Sequence, residues 1–443
     1  MSESGTMRVS TTIRDTLHDR IPLDAPTVQL IGTQSFLRLD RIQQLGFVSK
    51  VWPGAKHTRF EHSLGVYHLM RQAIDSLMRS CPGVGISDES IRVASAAALL
   101  HDIGHYPFSH AIEELGDPVL PHETVARRVI GSEEVSSILE RDWRVDPDDV
   151  MEMIDPTVDP EPEFDLLRGL LSGPLDVDKL DYLPRDAKGC NVPYGGVDTA
   201  RLMDALRVAE VEGGRQIVVG EKGVSPLHSL INARQEMFDN VYWHHTNRAC
   251  MVMLLRAVQE AIILGSITAE ELTHLDDVSL IQRFREADMP SQTRALVGAL
   301  ESRAIHKRAV EISARASDLY DYLGGLFYQP AARRRLELSM TAALSFQLGT
   351  EIGEHEVLID IPKPEKWKTS VWVQFDRPPV GFRELMPWVD VVGLADDDFK
   401  RYEEHRRLIR IVTTERLRDE VAKRWESLLF PLMGMSRLET WPS

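Results

Sequence analysis

The chain has 443 residues, of which 43% are hydrophobic, and its formal net charge at pH 7 is -17. This length and apolar content are enough for a large core and exclude a chain that is disordered throughout. So acidic a surface repels polyphosphate at long range, and the composition therefore argues against indiscriminate binding of duplex nucleic acid.

The three cysteines are far apart and form no CxxC pair, so neither a disulfide framework nor a zinc ribbon is predicted. The N-terminal stretch MSESGTMRVS lacks the basic and apolar regions of a signal peptide. The most apolar run, residues 251–264, is too short to span a bilayer and contains Arg256 and Glu260. We therefore expect a cytoplasmic protein that has no membrane partner.

The first predicted elements are a short β-hairpin over residues 11–23 and a helix over 35–45. A loop with the sequence VWPGAKHT follows, and helices are predicted over 60–80 and 88–104, the second capped by Ser87 or Asp88. The next predicted helices cover residues 108–115, 121–131 and 134–141, followed by a helical set over 146–187.

A second β-hairpin is predicted between Val208 and Val219, with Gly213 and Gly214 in its turn. One long amphipathic helix is predicted over 225–264, and the helical pattern continues to about residue 345. The runs EVLIDI, SVWVQF and RLIRIV then predict strands, and a last helix is predicted over 414–429.

These elements predict a mainly α fold with a smaller α+β C-terminal part. We expect an N-terminal arm over residues 1–34, a large helical domain over 35–325 and a C-terminal subdomain over 326–443.

Histidines are concentrated in one part of the chain. Seven of the fifteen fall within a segment of 66 residues, namely His57, His62, His68, His101, His105, His110 and His122. The pair His101-Asp102 follows the apolar run VASAAALL, and the acidic run PLDVDKLDYLPRDA lies further along the chain. Imidazole and carboxylate groups together bind divalent transition metals, so the cluster predicts a metal site.

Four stretches, HTRFEHSLGVYHL, ALLHDIGHYPFSHAIEE, PHE and LDVDKLDYLPRDA, resemble the HD superfamily. They are especially similar to its deoxynucleoside triphosphate triphosphohydrolase branch, over about residues 10 to 265. The resemblance implies an HD-domain helical core that holds one divalent transition metal (iron, manganese or zinc). The implied ligands are His62, His101, Asp102 and Asp178.

The resemblance also implies roles around the metal. His122 matches a histidine that acts in proton transfer, Glu113 matches the acidic residue that orients it, and His105 and His110 match phosphate contacts. Further substrate contacts are implied for Arg59, Lys179, Tyr182, Asp186, Arg234, Tyr242 and His244. The pair Gln44-Leu45 matches residues that contact the 3′-hydroxyl and crowd a 2′-hydroxyl. His57 and His68 match no family role, and surface or helix-packing positions are expected for them.

The implied activity is hydrolysis of a deoxynucleoside triphosphate, carried with Mg²⁺ or Mn²⁺, to deoxynucleoside and tripolyphosphate. Two alternatives stay open: an HD phosphohydrolase for a monophosphate, a cyclic or alarmone nucleotide or single-stranded nucleic acid, and a nucleotide-sensing module without turnover. Gly32 and Asp40 stand where activator-binding members carry an acidic residue and an arginine, so that guanine-nucleotide activation is not expected. Exposed strand edges and the family resemblance predict a homo-oligomer, a dimer or a tetramer.

Overall fold

A computed structural model of the chain describes residues 9–159, 161–363, 370–394 and 406–434. The described chain is mainly α-helical with small β-sheets, which confirms the predicted fold class. Most of the stretch on which the absence of a signal peptide was predicted lies outside the described residues. A search of the described helices finds none with the length and apolar character needed to cross a membrane.

The helices are numbered in chain order. They are α1 Ala25–Ile31, α2 Gln34–Leu37, α3 Arg59–Ser80, α4 Asp88–Leu100, α5 His122–Ile130, α6 Glu133–Ile138, α7 Pro147–Ile154, α8 Pro162–Ser172, α9 Val177–Cys190, α10 Thr199–Asp204, α11 Val224–Met237, α12 His245–Ile263, α13 Ala269–His274, α14 Asp277–Phe284, α15 Ser291–Glu301, α16 Ser317–Gly325, α17 Pro330–Leu348, α18 Trp388–Val392 and α19 Arg418–Met433.

The strands form three sheets within the described residues. Their bounds are β1 Thr11–Asp15, β2 Asp19–Leu23, β3 Leu206–Val211, β4 Gly214–Gly220, β5 Lys307–Ile312, β6 Val357–Asp360, β7 Trp372–Gln374, β8 Leu385–Pro387 and β9 Ile409–Thr413. The strand orders are β1-β2, β3-β4-β7-β8 and β5-β9-β6, and β4 and β7 are the pair that runs parallel.

The chain forms two compact units, each assembled from separate segments. The described part of the first unit covers residues 9–109, 121–159, 161–241 and 370–394, and the described part of the second covers 110–120, 242–363 and 406–434. The boundaries predicted at residues 34 and 325 remain predictions.

In the first unit, α3 is the central helix and packs against α4 and α9. The middle of α4 is almost entirely buried, including Ala96, Ala97 and Leu99, because small residues allow close approach to α3. In the second unit, β6 and β9 are fully buried beneath α17 and α19, and Ile359, Ile411 and Met340 belong to one apolar core.

Several predicted elements differ from the observed ones. The helix predicted over 35–45 ends earlier, because α2 passes into a 3₁₀ helix over Arg38–Arg41 and the chain is extended from Ile42. The helix predicted over 88–104 ends at Leu100, so that His101 is its C-terminal cap. In the second hairpin the turn residues with positive φ are Glu212 and Gly213, and Gly214 already belongs to β4.

The single long helix predicted over 225–264 is wrong. The chain is α-helical to Met237, makes a π-helical turn over Phe238–Tyr242 and starts again as α12 at His245. The His244 side chain caps the new helix by accepting a hydrogen bond from the Thr246 backbone at 3.3 Å. The helical pattern predicted up to residue 345 is also interrupted, because Lys307–Ile312 pairs with β9. The local sequence pattern could not show this pairing, because β9 lies far along the chain from β5.

Candidate functional site

The four predicted metal ligands converge within the first unit. Nε2 of His62, on α3, lies 2.9 Å from Oδ1 of Asp178, on α9, and Nε2 of His101 lies 3.8 Å from that oxygen. One ligand atom from each of these three residues lies within 4.8 Å of the other two. The fourth residue, Asp102, lies beside them: its Oδ1 is 3.4 Å from His101 Nε2, and its Oδ2 is 3.7 Å from His62 Nε2.

Hydrogen bonds turn both imidazoles so that Nε2 faces this cluster. His101 Nδ1 lies 2.9 Å from the carbonyl oxygen of Ala98, which can only accept, so Nδ1 carries the proton and Nε2 has the free lone pair. His101 Nε2 is buried and makes no hydrogen bond to the described residues. His62 Nδ1 donates to Asp181 at 2.8 Å. Two imidazoles oriented in this way, together with two carboxylates, fit a divalent transition metal.

The candidate ligands and their neighbours shift one another's pKa values. Burial alone would lower the pKa of His62, but hydrogen bonds to Asp178 and Asp181 raise it to about 10. Burial alone would raise the pKa of Asp102, but the charge of Arg59, followed by those of nearby histidines, holds it well below its usual range. Burial alone would raise the pKa of Asp178, but the hydrogen bond from His62, together with the charges of His62 and His101, lowers it. The carboxylates are therefore ionised, which is the form that binds metal.

Helix ends place these side chains. A capping box of Thr58 and Glu61 starts α3 one turn before His62. The Asp176 side chain accepts from the backbone of Lys179 at 2.8 Å and starts α9, so that Asp178 lies in the first turn. The side chain of Asp178 is 33% exposed while that of His62 is 1% exposed, so the cluster meets solvent on the Asp178 side.

The predicted proton-transfer residue, His122, lies at the start of α5. Its ring centroid is 3.9 Å from that of His105, and His105 Nδ1 lies 3.2 Å from Oδ1 of the ligand Asp102. His122 Nδ1 is 3.5 Å from the carboxylate of Glu123. His122 therefore contacts His105, which in turn contacts the candidate metal ligand Asp102.

Four other predicted site residues belong to the second unit. The His110 side chain is 63% exposed and its Nδ1 lies 3.4 Å from Oε2 of Glu113. Tyr242 ends the π-helical turn, and His244 caps α12. Burial, together with the charges of Arg410 and Arg308, lowers the pKa of His244. The roles of these four residues remain predictions.

The Gln44-Leu45 segment is connected to the loop that follows the HD pair. Ser109 Oγ lies 3.0 and 3.2 Å from the carbonyl oxygens of Gln43 and Gln44, and it accepts a hydrogen bond from Arg59 Nε at 3.0 Å. The Oε1 atom of Gln44 is buried and has no hydrogen-bond partner among the described residues. An unpartnered buried acceptor suits a ligand that brings a donor.

Each predicted cationic side chain of the first unit contacts a carboxylate or an aromatic ring. Arg59 Nη1 donates to Asp102 at 2.5 Å, and the Lys179 ammonium pairs with Asp176. The Arg234 guanidinium lies 5.4 Å from the centre of the Phe238 ring.

Tyr182 and Asp186 lie on α9 in the same region. Burial raises the pKa of Tyr182, with the Arg234 charge opposing it, so the phenol is neutral and can donate a hydrogen bond. Asp186 Oδ1 lies 2.7 Å from Nε2 of His57, a residue for which the sequence indicated no role.

Sequence reasoning assigned no site role to two residues that contact the candidate ligands directly or through each other, Asp181 and His18. Asp181 follows Asp178 by three residues on the same helix face, but its partner His62 is 119 residues away. His18 was not singled out at all, although its Nε2 lies 2.6 Å from Asp181 Oδ1. The available signal was a second carboxylate three residues after a predicted ligand, on the same helix face.

Comparison with protein families gives two matches. Residues 59–182 match the HD domain, and residues 197–427, just over half of the chain, match the HD-associated region. The first match begins at Arg59 and ends at Tyr182, so it contains all four candidate ligands.

Several curated proteins are similar in sequence. The uncharacterized protein YwfO of Bacillus subtilis is 34% identical over 276 residues, 58% of this chain and 61% of that protein. The uncharacterized protein MJ1154 of Methanocaldococcus jannaschii is 30% identical over 68% of this chain and 60% of its own length. Human deoxynucleoside triphosphate triphosphohydrolase SAMHD1 is 28% identical over 58% of this chain and 45% of its own. The chain therefore matches about half to three fifths of the length of these relatives.

One solved structure, of a hypothetical protein from Aquifex aeolicus, resembles the whole fold. It superposes with a TM-score of 0.70 at 24% identity and covers 94% of this chain and 99% of its own. At this identity the likeness establishes the fold alone.

Proposed function

Because this chain belongs to the HD superfamily and carries the HD-associated region, we propose that it is a metal-dependent phosphohydrolase of deoxynucleoside triphosphates. The observation that carries the proposal is the convergence of His62, His101 and Asp178 ligand atoms within 4.8 Å, with Asp102 beside them. The similarity to human deoxynucleoside triphosphate triphosphohydrolase SAMHD1 supports the choice of substrate.

The proposed ligands of one iron, manganese or zinc ion are His62, His101, Asp102 and Asp178. Such an ion, when bound, lowers the pKa of water and polarises a phosphoryl oxygen. The protein's own contribution is to hold both imidazoles in the tautomer that presents Nε2, through Ala98 and Asp181.

In the proposed reaction, a water oxygen bonds to the α-phosphorus and releases a proton to solvent, while the bond from that phosphorus to the 5′-oxygen breaks. His122 gives a proton to the departing 5′-oxygen, and the products are deoxynucleoside and tripolyphosphate. A histidine suits this task because its pKa is close to neutral pH. The contact of its ring with His105, at 3.9 Å between centroids, supports a fixed orientation.

The proposed substrate contacts divide between sugar and phosphate. Gln44 Oε1, buried and without a partner among the described residues, would accept a hydrogen bond from the 3′-hydroxyl, and Leu45 would crowd a 2′-hydroxyl. The neutral phenol of Tyr182 would donate a hydrogen bond to the substrate. The positive charges of Arg59, Lys179 and Arg234 oppose the repulsion expected from a net charge of -17, and Mg²⁺ or Mn²⁺ on the triphosphate would assist.

A cytoplasmic dimer or tetramer is part of the same proposal. Large apolar side chains on the second unit support self-association, since Phe346 is 89% and Tyr328 69% exposed. Sedimentation of the purified protein measures the assembly directly.

The test of the activity is a product analysis. The protein is assayed for metal content and then incubated with each dNTP and NTP, singly and in mixtures, with Mg²⁺ or Mn²⁺. We expect intact tripolyphosphate and deoxynucleoside from the wild type and none from Asp102→Ala. Asp276→Asn is a matched control, because this carboxylate caps α14 in the second unit.

Failure to release tripolyphosphate from any dNTP, in protein that contains metal, would reject the proposed substrate. Nucleoside monophosphates, cyclic and alarmone nucleotides and single-stranded nucleic acid would then be assayed with the same variants. Loss of activity in Asp276→Asn equal to that in Asp102→Ala would show that the ligand variant acts only through folding.

A further inference from the structure

Asp181 is a fully buried carboxylate whose two oxygens receive four hydrogen bonds. Oδ2 accepts from His62 Nδ1 at 2.8 Å and from Arg185 Nε at 2.8 Å. Oδ1 accepts from His18 Nε2 at 2.6 Å and from Arg185 Nη2 at 2.9 Å. The donor His62 is a candidate metal ligand, so the position of Asp181 decides the direction of the His62 ring.

Two of these connections lead to the N-terminal hairpin. His18 belongs to the turn between β1 and β2, and Arg185 binds Asp15 at the end of β1 through Nη1 at 2.8 Å and Nη2 at 3.2 Å. Asp15 Oδ1 also accepts from the backbone of Leu17 at 2.7 Å and of His18 at 2.8 Å. One carboxylate therefore closes the turn and holds the arginine.

The glycine at position 65 shows how tightly Asp181 fits against α3. A Cβ at Gly65 would lie 1.9 Å from Asp181 Oδ1 and 2.6 Å from Arg185 Nη2. Because Gly65 is on the same helix as His62, the absence of a side chain lets the carboxylate reach the Nδ1 atom one turn earlier. This close approach is independent of the hairpin contacts and points to the same carboxylate.

We infer that the N-terminal hairpin is a positioning element of the metal centre: Asp15, through Arg185, and His18 directly hold Asp181, which in turn orients the ligand His62. The inference rests on the metal centre of the proposed function and does not depend on the substrate. It gives the turn over residues 15–19 a role in the site as well as in the hairpin.

The expected effect is on metal affinity. Loss of a group that orients a ligand typically weakens metal binding by about 10- to 100-fold. We expect a change of this size in the dissociation constant of Mn²⁺ for Asp181→Asn and Gly65→Ala. For His18→Phe and Asp15→Asn we expect about tenfold, since each leaves one of the two connections in place.

The experiment is a titration of the metal-free 443-residue chain with Mn²⁺, in which electron paramagnetic resonance measures the free ion. His18→Phe keeps a ring against His68, whose centroid lies 5.3 Å away, and Asp15→Asn keeps an acceptor for the turn. The matched control is Asp24→Asn, because Asp24 directly follows β2 and its hydrogen bonds go to Thr27. Its Mn²⁺ affinity should equal that of the wild type.

A second measurement separates orientation from folding. The visible spectrum of the Co²⁺-loaded protein reports ligand geometry, and it should change in His18→Phe and Asp15→Asn but not in Asp24→Asn. If Asp181→Asn fails to fold, the two hairpin variants decide the matter.

Hairpin variants with the affinity and spectrum of the control would overturn the inference while leaving the metal centre intact. A wild type that binds no Mn²⁺ or Co²⁺ would contradict the metal centre itself. Weakened binding in the hairpin variants, together with no dNTP hydrolysis by the wild type, would support the inference and reject only the proposed substrate.

Discussion

Gly104 lies directly against the helix that begins at His122. A Cβ at Gly104 would be 2.1 Å from the His122 carbonyl oxygen and 2.4 Å from the Ala126 backbone nitrogen, distances that no side chain tolerates. The glycine of the HDIGH stretch therefore sets how closely the first turn of α5 approaches the metal cluster.

Gly104→Ala should push α5 away and impair catalysis. We expect kcat for dNTP hydrolysis to fall at least about tenfold, because proton transfer requires the His122 ring within hydrogen-bond reach. Steady-state kinetics and thermal unfolding measure the two consequences. Gly298→Ala is the matched control, since Gly298 lies inside α15 with open space around it and alanine favours a helix by about 1 kcal/mol. Normal kcat in Gly104→Ala would contradict the contact.

His122→Gln should remove the proton donor without removing the metal. Loss of a general acid costs about 10²- to 10⁴-fold when the leaving group needs a proton. We expect that loss with dNTPs and less than about tenfold with an aryl phosphate ester, whose leaving group is stable as an anion. Equal losses with both substrates, at unchanged metal content, would reject His122 as the acid.

Removal of the metal should lower both activity and stability. A ligand that binds only the folded state at 100 times its dissociation constant contributes about 2.7 kcal/mol. Calorimetry of the wild type with a chelator and with added Mn²⁺ measures this contribution. His101→Ala should abolish the dependence of Tm on Mn²⁺. A dependence that persists in His101→Ala would place the ion elsewhere.

Gln44→Leu tests recognition of the 3′-hydroxyl. The wild type should prefer a dNTP to the matching dideoxynucleotide, because the second lacks the donor for Gln44 Oε1. In Gln44→Leu, kcat/KM for the dNTP should fall at least about tenfold and that for the dideoxynucleotide much less. Preference retained by the variant would assign the contact to another residue.

Acid should destabilise the second unit through His306. Burial lowers the pKa of this imidazole from 6.5 to about 4, opposed by its hydrogen bond to the His355 carbonyl and by Glu356. The unfolded chain therefore binds the proton first, so stability is complete above pH 6.5 and falls as the pH decreases towards 4. The loss is at most about 3 kcal/mol.

Urea unfolding between pH 7 and pH 4 measures this loss. His306→Gln should show a shallower decrease of the free energy of unfolding over that range. An identical decrease in the variant would assign it to other groups, of which His355, with a pKa also lowered by burial, is the first to examine.

The sequence itself determined the helical class, and its resemblance to the HD superfamily supplied the proposed ligand set. Strong local signals were sufficient for the class: the apolar run before His101 predicted a helix, and runs rich in β-branched and aromatic residues predicted β6 and β9. Each of these signals depends on neighbours within a few residues, which is why reasoning from local pattern succeeded there.

Other features depend on residues distant in sequence, and only the tertiary structure decided them. The break after Met237 arises from a π-helical turn that the apolar pattern does not show, and β5 exists because it pairs with Ile409–Thr413. In the sequence Gly65 is an ordinary helix residue. The packing of α9 against α3 shows that its missing side chain leaves room for Asp181.

The candidate metal site depends both on local sequence and on the tertiary structure. Sequence identified which imidazoles and carboxylates could bind an ion, since ligand chemistry belongs to the residue type. Which imidazole nitrogen faces the other candidate ligands, and that the turn containing His18 lies behind Asp181, follows from hydrogen bonds between residues as much as 170 positions apart. Such contacts arise from packing of the whole unit, so no local pattern encodes them.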